Sequence, residues 1–459
     1  NCYMVKRIKE FFSNPLFEIN DSAGRINLFA MSVPLFFQLI FNLMLGTINT
    51  IVLTYVSDEA VTAVNVANTV LNVPVILLTM VTNGLLVILS YSLGKGNGAA
   101  GDACVTGIAI NIISAVAISI ICFTQAPVFM QLMGLSGRTA AQAVLYFRIR
   151  SLFLVFQALA VCYTAILRAN GFAKPTMISG MIINIINAAM SVMVVCGWIM
   201  PNNKIAGVSF AAVIGQIAGF IYAYIALKRK YEVKQKGRFT RQLSLRILKI
   251  GVPGGFSLLA YNISVMVSTA ILTSLGSNII NTKIFVSNVA NYSYLFGYAT
   301  AQSCALMIGR YAGAGKYNAV KQLYKKILLF TPLLNVCLSL LIFIFSNRIM
   351  HVFTNDPAII AAAHALLFID IAVEAERGLN HVGENSLCGV GDTLFTSMVS
   401  ISSSIFINML GCWFFCIKLG LGLYGYYAAV ILDEGVRSII YYCRWRKSRW
   451  ILGVEKLNC

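Results

Sequence analysis

Charge is what this 459-residue chain has least of: 11% of its residues are Asp, Glu, Lys or Arg, about half the usual share. Acids are scarcer still, 16 against 35 Lys and Arg. With 58% hydrophobic residues and a mean hydropathy of +0.79, the chain is too apolar for a soluble globule or a disordered segment. It must use lipid as part of its solvent. The three His, at 351, 364 and 381, lack metal-ligand spacing, and the 12 Cys contain no CxxC pair, so the residues point to no metal and no cofactor. Cys412 and Cys416, one helical turn apart, read as packing residues. No GxxxxGK[ST] phosphate loop occurs, which argues against ATP-driven work.

What the chain does have is long apolar runs. A spanning helix needs about 20 such residues, and twelve runs qualify, near 28–56, 60–88, 104–125, 140–166, 176–199, 205–227, 247–275, 283–308, 325–345, 358–386, 394–417 and 422–443. The net charge of +19 sits between these runs, so its expected partner is the anionic membrane lipid surface and not nucleic acid. Basic residues crowd one set of loops, among them Lys228, Arg229, Lys230, Lys234, Lys236 and Arg238, and the tail, to which Arg437 is assigned together with Arg444, Arg446 and Lys447. The positive-inside rule then places both termini in the cytosol of a plasma (inner) membrane protein. Val5 to Phe17, with Lys6, Arg7 and Lys9 against Ile8, Phe11 and Phe12, reads as an interfacial helix.

The chain is also written twice. Val33-Pro34 matches Val252-Pro253, Asn68 and Asn72 match Asn288 and Asn291, and Leu167 with Gly171 matches Leu387 with Gly391. Asn187 matches Asn408, and Ala211-Ala-Val-Ile matches Ala428-Ala-Val-Ile, all at an offset of about 220 residues. Six spans per half keep the halves in the same orientation, a parallel repeat. The expected fold is an all-α integral membrane protein, twelve transmembrane helices in two pseudo-symmetric six-helix lobes. Its parts are residues 1–26 (amphipathic amino-terminal segment), 27–227 (first lobe), 228–246 (basic linker), 247–443 (second lobe) and 444–459 (basic tail). Two such lobes suit alternating access.

This plan resembles the multidrug and toxic compound extrusion (MATE) family, within the superfamily of oligosaccharide and lipid-precursor flippases. The residues carrying the resemblance are Pro34 with Gln38, the Gly-rich loop after the second span, Leu167-Arg168-Ala-Asn-Gly171, Gly251-Val-Pro253 and Gly309-Arg-Tyr-Ala-Gly-Ala-Gly315. Glu374-Ala-Glu376-Arg377-Gly-Leu-Asn380 and Leu387-Cys-Gly-Val-Gly391-Asp392 complete them. The resemblance implies no enzyme but a monomeric antiporter that exports organic, mostly cationic compounds in exchange for H⁺ or Na⁺. The nearest alternative is a flippase for lipid-linked precursors; a membrane-embedded enzyme is more remote.

Ionisable groups at membrane depth are costly and so are functional candidates. In span ten Asp370, Glu374, Arg377, His381 and Glu384 fall within a sector of about 80° on a helix. Such a stripe must line a water-filled cavity or pair internally. As a cation site, Glu374 would be the coupling carboxylate and Arg377 its partner. Asn380 would offer a neutral oxygen to H⁺ or to a Na⁺ near Glu374, and His381 a proton relay. As a structural network, the pairs would be Glu374–Arg377 and His381–Glu384. Many MATE members carry an Asp in the first span; this chain has Asn49 there, which cannot titrate, and that places coupling in the second lobe. Gln38, Asn49, Asn65, Asn68, Asn72, Asn187, Asn288, Asn291 and Tyr292 are candidates for a substrate cavity, although Asn in membrane helices also serves as interhelical glue.

Overall fold

The computed structural model describes residues 14–21, 24–96, 98–230 and 237–458. Twelve long helical elements account for most of them: α1 Leu28–Thr54, α2 Asp58–Lys95, α3 Ala99–Leu132, α4 Gly137–Leu152 with Leu154–Ala169, α5 Ala173–Val195 and α6 Lys204–Lys230. The second half repeats them as α7 Arg241–Ser274, α8 Ser277–Gly313, α9 Tyr317–Ile344, α10 Pro357–Gly389, α11 Thr393–Lys418 and α12 Gly422–Arg446. Among the described residues, nine of these helices are apolar enough on their own to cross a membrane, and the two parts of α4, bent by 48°, qualify together. The two left over, α8 and α12, are the more polar ones. In α11 the ladder slips into π-helical turns at Ser404–Met409 and Phe414–Lys418, a feature frequent at functional sites.

Several elements outrun their apolar runs. The 38 residues of α2 span about 57 Å at 1.5 Å per residue, well beyond a ~30 Å hydrocarbon core. The Gly-rich stretch 309–315 is helical up to Gly313. A close helix approach explains part of this glycine use: a Cβ on Gly94 would lie 2.1 Å from the Arg310 carbonyl oxygen. Of the expected interfacial helix, residues 5–13 lie outside the described residues. The part that is described is a single 3-10 turn, Pro15–Phe17, followed by an antiparallel hairpin, β1 Glu18–Asp21 and β2 Gly24–Asn27. Lys234 and Lys236 of the linker also lie outside the described residues.

The duplication is visible in backbone hydrogen bonds. At the end of α4, Gly171 (φ +87°) donates to Arg168 O at 2.9 Å and Phe172 to Leu167 O at 2.8 Å. At the end of α10, Gly391 (φ +84°) donates to Cys388 O at 2.9 Å and Asp392 to Leu387 O at 3.0 Å. Both are Schellman closures whose left-handed residue must be glycine to avoid a penalty of about 1–2 kcal/mol.

The chain divides into two compact units. One comprises the chain up to Phe36, Gly94–Gly96 and Phe256 onward; the other comprises Phe37–Leu93 and Asn97–Gly255. The division therefore falls inside α1, α2 and α7. In the first unit, Leu272, Val286, Ala363, Leu367 and Cys412 belong to the main apolar core. The hairpin is fastened within the same unit, where the Tyr311 hydroxyl lies 3.2 Å from both Leu16 O and Glu18 O and Phe17 packs on Phe29. In the other unit the core gathers Leu53, Ala63, Phe147 and Val194. Here α7 crosses α2 at two glycines, with a Cβ on Gly84 falling 2.1 Å from Ile247 O and one on Gly251 2.1 Å from Met80 O.

Candidate functional site

The stripe on α10 faces inward, as its spacing requires. Asp370, Glu374 and Asn380 are buried, Glu374 completely, and the Arg377 side chain is 18% exposed. Arg377 Nη1 donates to Glu374 Oε1, and the guanidinium stands 5.0 Å from the Tyr294 ring centroid. Neighbouring helices fix the backbone beneath it. Asn335 Nδ2 on α9 donates to the Glu374 carbonyl oxygen at 3.3 Å, and Gly378 lies so near Pro332 that a Cβ would come within 2.7 Å of its Cα.

Helix α12 completes the site with residues the sequence reading missed. Asp433, Glu434 and Arg437 are all buried. Arg377 Nε stands 3.6 Å from Glu434 Oε1, as does Arg437 Nη2. Arg437 is also paired with Asp433, and Asn380 Nδ2 donates to Glu434 Oε2. Arg437 thus belongs to the interior and not to the basic tail, a correction with a simple cause: two acids on its own helix, at i−4 and i−3, hold it inside. The signal was present as an Asp-Glu-x-x-Arg run within an otherwise apolar span. From α11, Ser403 donates to Asp433 Oδ1, and Asn408 Nδ2 lies 3.5 Å from Asp433 Oδ2. The Ser264 hydroxyl on α7 lies 2.9 Å from both Asn408 Oδ1 and the Ser404 carbonyl oxygen, so its single hydrogen is offered to acceptors at the π-helical turn.

Other members of the stripe sit apart from this ladder. His381 packs beside Tyr298 and Tyr294, with ring centroids 4.9 and 5.9 Å away. It forms no ion pair with Glu384 among the described residues; Glu384 instead accepts from the Ser400 hydroxyl at 3.3 Å. Glu376, off the stripe, accepts from Ser438 at 3.1 Å, and Asp392 takes two bonds from Arg444, at 2.9 and 3.2 Å. Two carboxylate oxygens, Glu374 Oε2 and Asp370 Oδ2, are buried and make no hydrogen bond among the described residues, although Ser293 and Ser339 stand beside them.

The polar candidates divide between the units. In one, Asn288 and Tyr292 are exposed and Asn291 is half-buried. In the other, Asn65 and Asn72 are exposed, while Asn68 accepts from the Tyr146 hydroxyl at 3.0 Å. Gln38 lies against Gly180, and Asn187 is buried and accepts from Ser191 at 3.3 Å. The side chain of Asn49 lies outside the described residues.

A comparison with family profiles settles the membership. The MatE profile matches twice, over residues 34–193 and 253–414. The chain belongs to the MatE family. The two matches start 219 residues apart, the same offset that the sequence repeat shows. The "Uncharacterized transporter YisQ" of Bacillus subtilis is 32% identical over 93% of this chain and 95% of its own length. The "Probable multidrug resistance protein NorM" of Thermotoga maritima is 24% identical over 93% of each. In fold, an outward-facing multidrug resistance MATE transporter of the MOP superfamily superposes with a TM-score of 0.83 at 15% identity, over 93% of this chain and 96% of its own. This MatE protein is therefore a multi-pass membrane transporter of the compound-efflux type, with a small-molecule substrate and a lipid environment. It is not an enzyme.

Proposed function

We propose that this MatE transporter is a monomeric antiporter of the plasma membrane, with both termini cytosolic. It exports organic, mostly cationic and amphipathic compounds, and the exchanged ion, H⁺ or Na⁺, is taken up at Glu374. The observation that carries this reading is the state of the Glu374 carboxylate: one oxygen holds Arg377, and the other, beside Ser293, is buried and makes no hydrogen bond among the described residues. A buried oxygen left in that condition costs on the order of 1–3 kcal/mol, and binding a proton or Na⁺ there removes the penalty. The α10–α12 ladder rigidifies the surroundings, so a change of charge at Glu374 is felt by both helices. The flippase alternative would need cations to hold a pyrophosphate; Arg377 and Arg437 are both occupied by carboxylates, which leaves that alternative to Arg148 and Arg150 of the fourth span.

The test is efflux of a fluorescent organic cation from proteoliposomes under an imposed pH or Na⁺ gradient. Glu374→Gln should abolish the gradient-driven part while leaving the protein folded. Retained coupled transport in that variant would exclude Glu374 from the role, and preferential binding of a pyrophosphate lipid would turn the assignment toward a flippase.

A further inference from the structure

Five charged side chains in the α10–α12 unit form an alternating series: Glu374, Arg377, Glu434, Arg437 and Asp433. Three carboxylates share two guanidiniums, so the series carries one negative charge in excess. At this depth an unmatched charge is expensive. The distances show where the mismatch is held. Each arginine is bonded to an outer acid, while Glu434 in the middle lies 3.6 Å from both guanidiniums and is fixed by Asn380.

We propose that Glu434 is a positioning residue for coupling, the alternate partner to which Arg377 passes when Glu374 is loaded. This rests on the reading of Glu374 given above. A proton added to Glu374 Oε2 neutralises that carboxyl, and Arg377 then has a stronger partner in Glu434. Shortening 3.6 Å to the ~2.8 Å of a charge-assisted bond needs a displacement of less than about 1 Å. Arg377 remains charged throughout, and its bond moves from its own helix to α12, so ion loading fastens α10 to α12. The other titratable groups around the series are Asp370, His381 and Glu384 on α10, Tyr294 on α8, Tyr261 on α7 and Tyr426, Tyr427 and Tyr441 on α12. Helices α9 and α11 present the neutral Asn335, Ser403 and Asn408.

The test measures ethidium affinity against pH, without Na⁺, for protein in lipid nanodiscs, which requires no turnover. Wild-type affinity should fall on acidification with one midpoint. Glu434→Gln and Glu434→Asp should both move that midpoint to lower pH by about one unit, a tenfold change in proton affinity. The aspartate variant is decisive because it keeps the charge and loses the reach. A wild-type midpoint in Glu434→Asp overturns the handover, even if Glu434→Gln shifts, since charge alone would explain that. Should either variant fail to fold, a wild-type structure two pH units below the midpoint decides: Arg377 on Glu434 supports the proposal, and Arg377 still on Glu374 overturns it. Glu374→Gln tests the earlier reading separately, because a midpoint that persists there removes Glu374 from coupling whatever Glu434 does. A wild-type affinity independent of pH overturns the handover, and one that is also unchanged by added Na⁺ overturns both.

Discussion

Helix α7 carries its own controlled experiment in glycine. At Gly251 an added methyl would lie 2.1 Å from Met80 O and 3.2 Å from Gly84 N, whereas at Gly254, three residues on, it meets open space. Both glycines are helical, so alanine gains about 1 kcal/mol of helix propensity at either site. At Gly254 that gain stands alone. At Gly251 the methyl must retreat by roughly 1 Å to reach ordinary contact, and backbone supplies the obstruction, so α7 and α2 must part. Overpacking of this kind costs about 1–3 kcal/mol, which outweighs propensity, and Gly251→Val should cost more. For a unit of about 200 residues each kcal/mol is worth roughly 2–4 °C. Thermal unfolding in nanodiscs should therefore rank Gly254→Ala above wild type, wild type above Gly251→Ala, and Gly251→Val last. Gly251→Ala as stable as Gly254→Ala would refute the close crossing of α2 and α7.

Asp392→Ala removes both bonds to Arg444 from a buried carboxylate; a loss of about 3–5 kcal/mol is expected, read as a lowered unfolding midpoint. Tyr311→Phe deletes the hydroxyl beside Leu16 O and Glu18 O and should cost about 1 kcal/mol, with faster proteolysis around the hairpin as the readout. Tyr146→Phe frees the Asn68 amide; as interhelical glue this is worth about 0.6 kcal/mol, whereas a changed substrate panel at unchanged stability would mark Asn68 as cavity lining. Gly297→Ala places a methyl 2.2 Å from Asn335 Oδ1, which should push Asn335 off the Glu374 carbonyl and weaken coupled efflux more than passive ethidium binding.

Apolar run length is a strong signal in this chain, and the twelve helices appear close to where composition puts them. Their ends were harder to read because α2, α3 and α8 continue as helices through polar and glycine-containing stretches where hydropathy has already faded. The Asp370–Glu384 stripe was legible because a 3.6-residue period is a local property. Glu434 and Arg437 were not, because their meaning depends on which face of α12 meets α10, and a basic residue near a basic tail looks like orientation charge. Met80 illustrates the same limit. Its side chain fills the space left by Gly255, where a Cβ would fall 1.8 Å from Met80 Cγ, a fit that depends on where α2 meets α7. The π-helical turns of α11 were equally hidden; at the first of them Ser264 of α7 donates to the Ser404 carbonyl oxygen and Asp433 of α12 accepts from Ser403, partners that only the folded chain brings there.

The duplication makes the placement of charge informative. At the family offset of about 220 residues, Glu374, Arg377, Asn380, His381 and Glu384 fall opposite Leu154, Gln157, Ala160, Val161 and Thr164. Glu434 and Arg437, about 217 residues beyond their counterparts by the Ala211 and Ala428 runs, fall opposite Ile217 and Phe220. The two copies close their fourth and tenth spans with the same glycine turn, so the backbone plan has been kept while the ionic series stands in one copy. Had the series served only to hold six helices together, the first copy would need a counterpart, and it packs the equivalent positions with neutral side chains instead. Stability alone therefore does not explain why the second copy bears the desolvation of three carboxylates and two guanidiniums. A charge-carrying task peculiar to that copy would explain it, and this supports the proposal of ion exchange on α10 and α12.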